Sequence, residues 1–423
     1  MNLTISPRVL TGKIKVPASK SISHRAVICA ALAEGTSHLS NILLSDDLTV
    51  TIAGMTTLGA TIEDLGQGNY KVTGMGKKAP QGGVIDCLES GSTIRFLIPL
   101  GLNGVQNQFT GRGRLTERPQ KIYHDIFKEQ NIFFEKPTDK ELPLTVKGTL
   151  KAGEFTFPGN VSSQFISGLL FALPRLEGDS KIILTDQLES IDYIKLTLDM
   201  LSKFGIQIQV STDNRVYSIK GNQIYQPCDV EIEGDFSQAA FWLVAGTIGS
   251  PIELTGLNPN SAQGDRAILD ILKKMGANPE WQGTSLLATP TPTGGITIDV
   301  AQCPDLVPIL TVLAARSEGT TKIINAERLR IKESDRLAAM RSELTKLGVA
   351  VEETESTLTI TGTKNLTSAT VESHDDHRIA MSMGVASILL DQPFNLDHAE
   401  VVSKSYPEFW KDFASLGGKI NEC

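Results

Sequence analysis

Two carboxylates in this chain stand among cations. Asp305 follows Cys303-Pro304 and opens an apolar stretch, and Glu333 lies between Lys332 and Ser334. Taking a proton from a hydroxyl, or giving one to carbon, needs a positioned acid or base, and these two are the candidates. Arg328, Arg330, Lys332 and Arg336 crowd the loop around Glu333; Arg112, Arg114 and Arg118 crowd another; Lys20, Arg25, Arg95, Arg378 and Lys404 stand elsewhere. Arginine offers a fork of donors matched to carboxylate or phosphate, and lysine a compact charge. Asn160-Val161-Ser162-Ser163-Gln164 adds hydroxyls and an amide able to orient a phosphate or a sugar-like hydroxyl. The inferred ligand carries several negative charges, and two phosphorylated or carboxylated substrates would fit. Taken singly, each residue has a plainer reading. Asp305 is a helix N-cap, Glu333 a surface ion-pair partner, Ser162 and Ser163 a cap with a spare hydroxyl, and a lone Arg or Lys a solvated charge. Recurrence of the cations at helix openings favours function.

Those openings recur at a fixed interval. Helices are expected to begin near Ser21, Ser92, Ser163, Ser237, Asp305 and Asp376, in steps of 71, 71, 74, 68 and 71 residues. Ser and Asp suit a helix start because they accept from its unpaired N–H groups. Ala26 to Ala33, Phe165 to Leu173, Ala239 to Ala245 and Leu306 to Ala314 are apolar nearly all round, so these helices should be interior. A second series runs in phase: Gly59, Asn131, Gly205, Gly276, Gly348 and Gly417, in steps of 72, 74, 71, 72 and 69, each between a helix-like stretch and a strand-like one. Gly and Asn tolerate the left-handed conformation that closes a helix. Asn69–Gly74, Val216–Gly221 and Thr357–Gly362 read as return strands of hairpins. One Leu-Gly cap means nothing, but six at nearly constant spacing mean an internal repeat of roughly 70 residues. Symmetry of that kind can bring helix N-termini, with their partial positive charge and free N–H groups, onto one anionic ligand.

Bulk properties narrow the class. At 423 residues, two domains are expected. The net charge of −8 and 6% aromatic content argue against a nucleic-acid surface. Five dispersed cysteines without a C-x-x-C, and an N-terminus without a basic-then-apolar leader, point to the cytoplasm. No apolar run is long enough for a bilayer. His374 and His377 with Asp375 and Asp376 look superficially like a metal cluster, but their spacing is not H-E-x-x-H and nothing completes a zinc set, so no metal is expected. There is no P-loop, no dinucleotide fingerprint and no G-x-S-x-G elbow. Catalysis by positioning, charge and proton transfer, without a cofactor, is the expectation.

Lys20-Ser21-Ile22-Ser23-His24-Arg25, Val161-Ser162-Ser163-Gln164-Phe165, Arg330 through Arg336, Asp376-His377-Arg378-Ile379-Ala380-Met381 and Lys404-Ser405-Tyr406-Pro407 together resemble the 5-enolpyruvylshikimate-3-phosphate synthase family over nearly the whole chain. The resemblance implies an α/β fold of two similar domains, each of three βαβαββ-type repeats with buried helices, an inside-out barrel. The chain would cross twice, giving one domain from 1–16 plus 233–423 and another from 17–232, with the site in the cleft between them. It implies a cytoplasmic monomer, a glyphosate target, that adds the 5-hydroxyl of shikimate 3-phosphate to C2 of phosphoenolpyruvate and then expels phosphate. Carried over by motif, Lys20, Ser21, Arg25, Ser162, Ser163, Gln164, Ser190, Tyr193, Asp305 and Lys332 would hold shikimate 3-phosphate. Lys20, Gly91, Arg95, Arg118, Gln164, Glu333, Arg336, Arg378 and Lys404 would surround phosphoenolpyruvate. Lys20, Asp305, Glu333 and Lys404 would be catalytic. Asp305 would take the hydroxyl proton, Glu333 would protonate the methylene carbon, and Lys20 would assist phosphate departure.

Three positions depart from the family's habit. Glu89 stands where Asn is frequent, and a carboxylate there would repel phosphoenolpyruvate unless paired. Ser92 replaces a common Thr, and Arg328 an Asn of some members. Gly91 suggests glyphosate sensitivity. The alternative is the related transferase acting on UDP-N-acetylglucosamine, whose mobile loop carries a reactive Cys; Gly111 to Arg118 has none. A non-catalytic anion-binding homologue is the other rival, and the intact set Lys20, Asp305, Glu333 and Lys404 speaks against it.

Overall fold

The computed structural model describes residues 1–186 and 188–423. The chain forms two compact units, Ser19–Ile232 and Met1–Ala18 with Glu233–Cys423. The first stretch of the latter runs to Ala18 because the Pro17 carbonyl accepts the Asp235 N–H at 2.9 Å and Ala18 bridges Gly234.

Within Ser19–Ile232 one motif occurs three times: an interior helix, a strand, an outer helix and a hairpin. The helices are α1 (Lys20–Leu32) and α2 (Asp46–Thr57), α3 (Gly91–Gly101) and α4 (Lys121–Glu129), and α5 (Ser163–Ala172) and α6 (Ile191–Lys203). In the middle copy Val84–Asp86 runs parallel to Asn107–Thr110, with Val84 opposite Gln108. Asn107–Thr110 is antiparallel to Leu144–Lys147, which pairs in turn with Phe133–Glu135. Among the described residues each unit carries three such four-stranded sheets. The other unit repeats the plan with α7 (Phe236–Ile248) and α8 (Ala267–Met275), α9 (Val307–Arg316) and α10 (Arg336–Lys346), and α11 (His377–Ala386) and α12 (Phe409–Ser415). Its last hairpin is completed by Leu3–Ser6, paired with Lys419–Glu422 and Phe394–Asp397.

Alternate helices differ as their sequences require. Helix α11 is buried at every residue, α3, α5, α7 and α9 at all but one, and α1 beyond its first three. Helices α4 and α8 bury one face and show the other to solvent, as amphipathic sequences do. Helices therefore occupy the middle of each unit and sheets surround them. All six punctuating residues adopt positive φ, from 56° at Asn131 to 118° at Gly59. The glycines ending the return strands have another cause. A Cβ on Gly362 would lie 1.7 Å from the Ser317 carbonyl oxygen at the end of α9, and one on Gly74 would lie 2.1 Å from that of Ala33 at the end of α1. The strand passes the inner helix too closely for any side chain.

Candidate active site

In Ser19–Ile232 the polar residues gather at the first turns of α1, α3 and α5. Lys20 begins α1, and its Nζ lies 2.7 Å from Asp47 Oδ2 in the first turn of α2. One turn on, Arg25 is buried and held from three sides: Nε donates to Thr197 Oγ1 at 2.8 Å, Nη1 to the Ser21 carbonyl at 2.7 Å and Nη2 to the Tyr193 carbonyl at 2.9 Å. Burial lowers its pKa to about 10, which leaves it charged at neutral pH. Ser190, which precedes α6, is buried with φ 54°. Ser162 caps α5 by accepting from the Gln164 N–H. Ser163 is the first residue of that helix and is buried.

The Gln164 amide ties α5 to α3: its Oε1 accepts from Arg95 Nη1 at 2.8 Å and its Nε2 donates to Ser92 Oγ at 2.9 Å. Arg95 lies 4.7 Å over the Phe165 ring and donates to the Pro119 carbonyl. The cap of α3 is Ser90, not Ser92, so the Ser92 hydroxyl faces Gln164. Gly91 lies close against its neighbour: a Cβ there would sit 2.5 Å from Arg118 Nη1, so the guanidinium would have to shift. Arg118 is buried, whereas Arg112 and Arg114 of the same loop are exposed. The Glu89 carboxyl packs on Gly113, where a Cβ would come within 2.9 Å of it.

In the other unit one guanidinium organises the site. Arg336, at the first turn of α10 and 1% exposed, donates from Nη1 to Asp305 Oδ1 at 2.7 Å, from Nη2 to Glu333 Oε2 at 2.9 Å and from Nε to Asp376 Oδ2 at 2.8 Å. Asp305 also faces Lys332 at 3.5 Å and Arg378 at 3.6 Å, and its carbonyl accepts from Arg378 Nη1. Ser334 Oγ donates to Asp376, whose Oδ1 caps α11 through the Arg378 N–H. Lys404 Nζ donates to the Asp375 carbonyl at 2.7 Å. Asp305 is thus not a helix cap. Cys303 holds that place before a short 3-10 turn, Pro304–Leu306, and the Asp305 side chain turns to the cations. Glu333 is largely enclosed rather than a surface partner. Arg330 turns away to Asp335 and the carbonyls of Thr354 and Glu355.

The electrostatics follow. Burial works to raise Asp376, but the Arg336 charge prevails and holds it below the ordinary carboxylate value. Burial brings Lys332 down to about 8 against the pull of Asp305. Asp265, buried and accepting from Ser237 Oγ, is pushed up to about 7 by burial and then by the charge of Asp305. Such an array can hold anions on cations and keep a base and an acid a few ångströms apart.

The family model for EPSP synthase (3-phosphoshikimate 1-carboxyvinyltransferase) matches residues 5–413. The chain belongs to the EPSP synthase family. It is 50% identical to the 3-phosphoshikimate 1-carboxyvinyltransferase of Clostridium novyi, over 100% of this chain and 98% of that protein. It is 51% identical to the enzyme of the same name from Clostridium acetobutylicum, over 99% and 98%. An EPSP synthase structure from Acinetobacter baumannii superposes with a TM-score of 0.83 at 26% identity, covering all of both chains. The enolpyruvyl transferase NikO of Streptomyces tendae shares the fold at a TM-score of 0.78 and 16% identity, over 99% of this chain and 98% of that one. The inside-out α/β expectation is borne out by these likenesses.

Reading the sequence of this EPSP synthase family member left out several partners. Asp47, Thr197 and Ser334 were not singled out, and Asp376 was seen as a helix cap beside two histidines, not as a partner of Arg336. Asp46-Asp47 before an apolar stretch is a helix-opening signal that could have drawn attention to Asp47. No local signal marks Thr197.

Proposed function

We propose that this protein transfers the enolpyruvyl group of phosphoenolpyruvate to the 5-hydroxyl of shikimate 3-phosphate, releasing phosphate. The observation that carries the reading is the Arg336 fork, which holds Asp305 and Glu333 side by side at 2.7 and 2.9 Å. Family membership and relatives of about 50% identity named for this reaction support it.

The chemistry assigns the roles. The 5-hydroxyl oxygen bonds to C2 of phosphoenolpyruvate while Asp305 takes its proton and Glu333 protonates C3. The product is a tetrahedral phosphoketal. Glu333 then recovers a proton from the methyl carbon, the C2–C3 double bond re-forms, and phosphate leaves with a proton from Lys20, which the proton taken up by Asp305 replaces over the cycle. Cationic character at C2 in the transition state is compensated by nearby carboxylates, and the departing anion by preorganised cations. Arg95, Arg118, Arg336, Arg378 and Lys404 take the phosphate and carboxylate of phosphoenolpyruvate, with Gly91 leaving room for Arg118 and with Gln164 beside them. Ser21, Arg25, Ser162, Ser163, Gln164, Ser190, Tyr193 and Lys332 take shikimate 3-phosphate, with Asp305 and Lys20 also on it. A substrate carboxylate arriving on Arg336 competes with Glu333 for the guanidinium, which frees Glu333 to hold a proton. The reaction needs only proton transfer and charge, so no cofactor enters. The enzyme works as a cytoplasmic monomer on these two small anions, with no nucleic-acid or membrane partner.

Phosphate release measured with each acceptor tests the reading. Release is expected with shikimate 3-phosphate plus phosphoenolpyruvate and not with UDP-N-acetylglucosamine plus phosphoenolpyruvate. The reverse pattern would make the chain the related transferase, and silence with both would leave an anion-binding protein.

A further inference from the structure

The reaction scheme leaves Glu343 and His374 unused, yet they sit against the turn from which part of the Arg336 cluster hangs. Glu343 lies on α10, about two turns beyond Arg336. Its side chain is fully buried. A carboxylate in that position needs every lone pair engaged. Its partners are His374 Nε2 at 2.7 Å, Lys346 Nζ at 2.8 and 3.0 Å, and the Glu372 N–H at 2.9 Å. Two of those three come from the segment 372–374, outside its own helix.

That segment leads into an unusual turn. His374 and Asp375 both have positive φ, 53° and 54°, a conformation that residues other than glycine seldom adopt and that surrounding contacts must hold. The turn presents the Asp375 carbonyl to Lys404 Nζ. Its next residue, Asp376, meets Arg336 and Ser334 and opens α11, which carries Arg378.

We propose that Glu343 and His374 are positioning residues that latch the turn Ser373–Asp376, so that Lys404 and Arg378 are aimed at the phosphoenolpyruvate anion. The proposal rests on the function given above.

The latch has a charge state. The Glu343 hydrogen bond raises the His374 pKa above its ordinary value, against burial. For Glu343, burial is outweighed by the His374 and Lys346 bonds and the Glu372 N–H, and its pKa falls to about 2. The groups facing the imidazole are Glu343 and Lys346 of α10 and Glu372 of the strand Thr370–Glu372. On the same turn Asp375 pairs with His398 at 3.7 Å. A raised histidine contributes fully below its ordinary pKa, and the contribution is lost as pH climbs through the raised value. A depressed carboxylate contributes above its ordinary value and fails only as pH falls through about 2. The latch is closed below the ordinary histidine value and relaxes as pH climbs through the raised one.

The test is steady-state kinetics from about pH 6 to about pH 9 on wild type, His374→Asn and Glu343→Gln, with NMR titration of the His374 imidazole. Asparagine tolerates the left-handed conformation, so His374→Asn keeps the turn's backbone preference and loses the latch. Glu343→Gln is the isosteric second variant. In wild type the KM for phosphoenolpyruvate should rise with pH. In both variants it should be raised about fivefold or more already at the acid end and be flat with pH, as expected on losing a charged hydrogen bond. The KM for shikimate 3-phosphate in the variants should stay within about twofold of wild type at each pH, with kcat little changed. The imidazole should titrate above its ordinary value in wild type and return toward it in Glu343→Gln. An ordinary titration in wild type, or variants with unaltered KM for phosphoenolpyruvate, would overturn the proposal. So would loss of both KM values together with the thermal midpoint at every pH. Wild type that releases no phosphate from the substrate pair removes the functional reading itself, an outcome distinct from failure of the latch.

Discussion

The two polar clusters are built on the same repeat and on the same helix openings, yet they are chemically unlike. In Ser19–Ile232 Arg25 and Arg95 meet neutral acceptors, Gln164, Thr197 and the carbonyls of Ser21, Tyr193 and Pro119, and Lys20 meets Asp47. In the other unit Arg336 alone meets Asp305, Glu333 and Asp376. Neutral acceptors hold a guanidinium in place without cancelling its charge, which suits recognition of phosphate and carboxylate. Carboxylates held on a shared cation can exchange protons, which suits chemistry. On the function proposed above, one architecture does two jobs by changing the residue types at equivalent turns.

Predictions from this contrast can be ranked. The largest effect should come from Asp305→Ala, with kcat lowered about a hundredfold or more, the usual range for losing a general base, while substrate binding persists in part. Near-normal turnover would remove Asp305 from the mechanism. Next, Arg336→Met leaves Asp376, whose side chain is fully buried, without its guanidinium. Urea unfolding should show a loss of about 3–5 kcal/mol. Lys20→Met, which breaks a partly solvated pair with Asp47, should cost about 1–2 kcal/mol. Equal losses would erase the distinction between a buried multi-carboxylate hub and a recognition site.

Smaller effects follow. Gly91→Ala puts a methyl against Arg118 and should raise the KM for phosphoenolpyruvate several-fold, about 1 kcal/mol, with kcat less changed. Wild type should lose activity at saturating glyphosate, and the alanine variant should need more inhibitor. Retained wild-type activity at saturation refutes the sensitivity. The smallest effect is a pH dependence. With Lys332 near 8, the ammonium proposed to meet shikimate 3-phosphate is lost as pH rises past that value, so the KM for this substrate should climb in mild alkali. Lys332→Arg, which stays charged, should flatten the climb. The sign for stability is opposite. Between about 8 and the ordinary lysine value the unfolded chain binds more protons, so this group's contribution to stability grows with pH.

What could be read in the sequence was what local conformation demands. Gly59, Asn131, Gly205, Gly276, Gly348 and Gly417 had to stand where the backbone turns left-handed, and they do. Apolar helices such as Phe236–Ile248 had to be interior, and they are. The cations at helix openings were visible because recurrence made them so. The partners were not visible. Asp376 lies forty residues from Arg336 and Thr197 lies 172 from Arg25, and no periodicity says which side chains will face each other across a helix pair. The plainer reading of Asp305, a helix cap, fails because the residue lies within the 3-10 turn Pro304–Leu306 and its side chain meets three cations.

The most direct test of the division of labour is kcat and both KM values for Asp305→Ala and Gln164→Ala, measured side by side. The account predicts that the Asp305 variant loses mainly kcat, while the Gln164 variant raises the KM values and keeps most of its turnover. Equal loss of kcat in the two would contradict it.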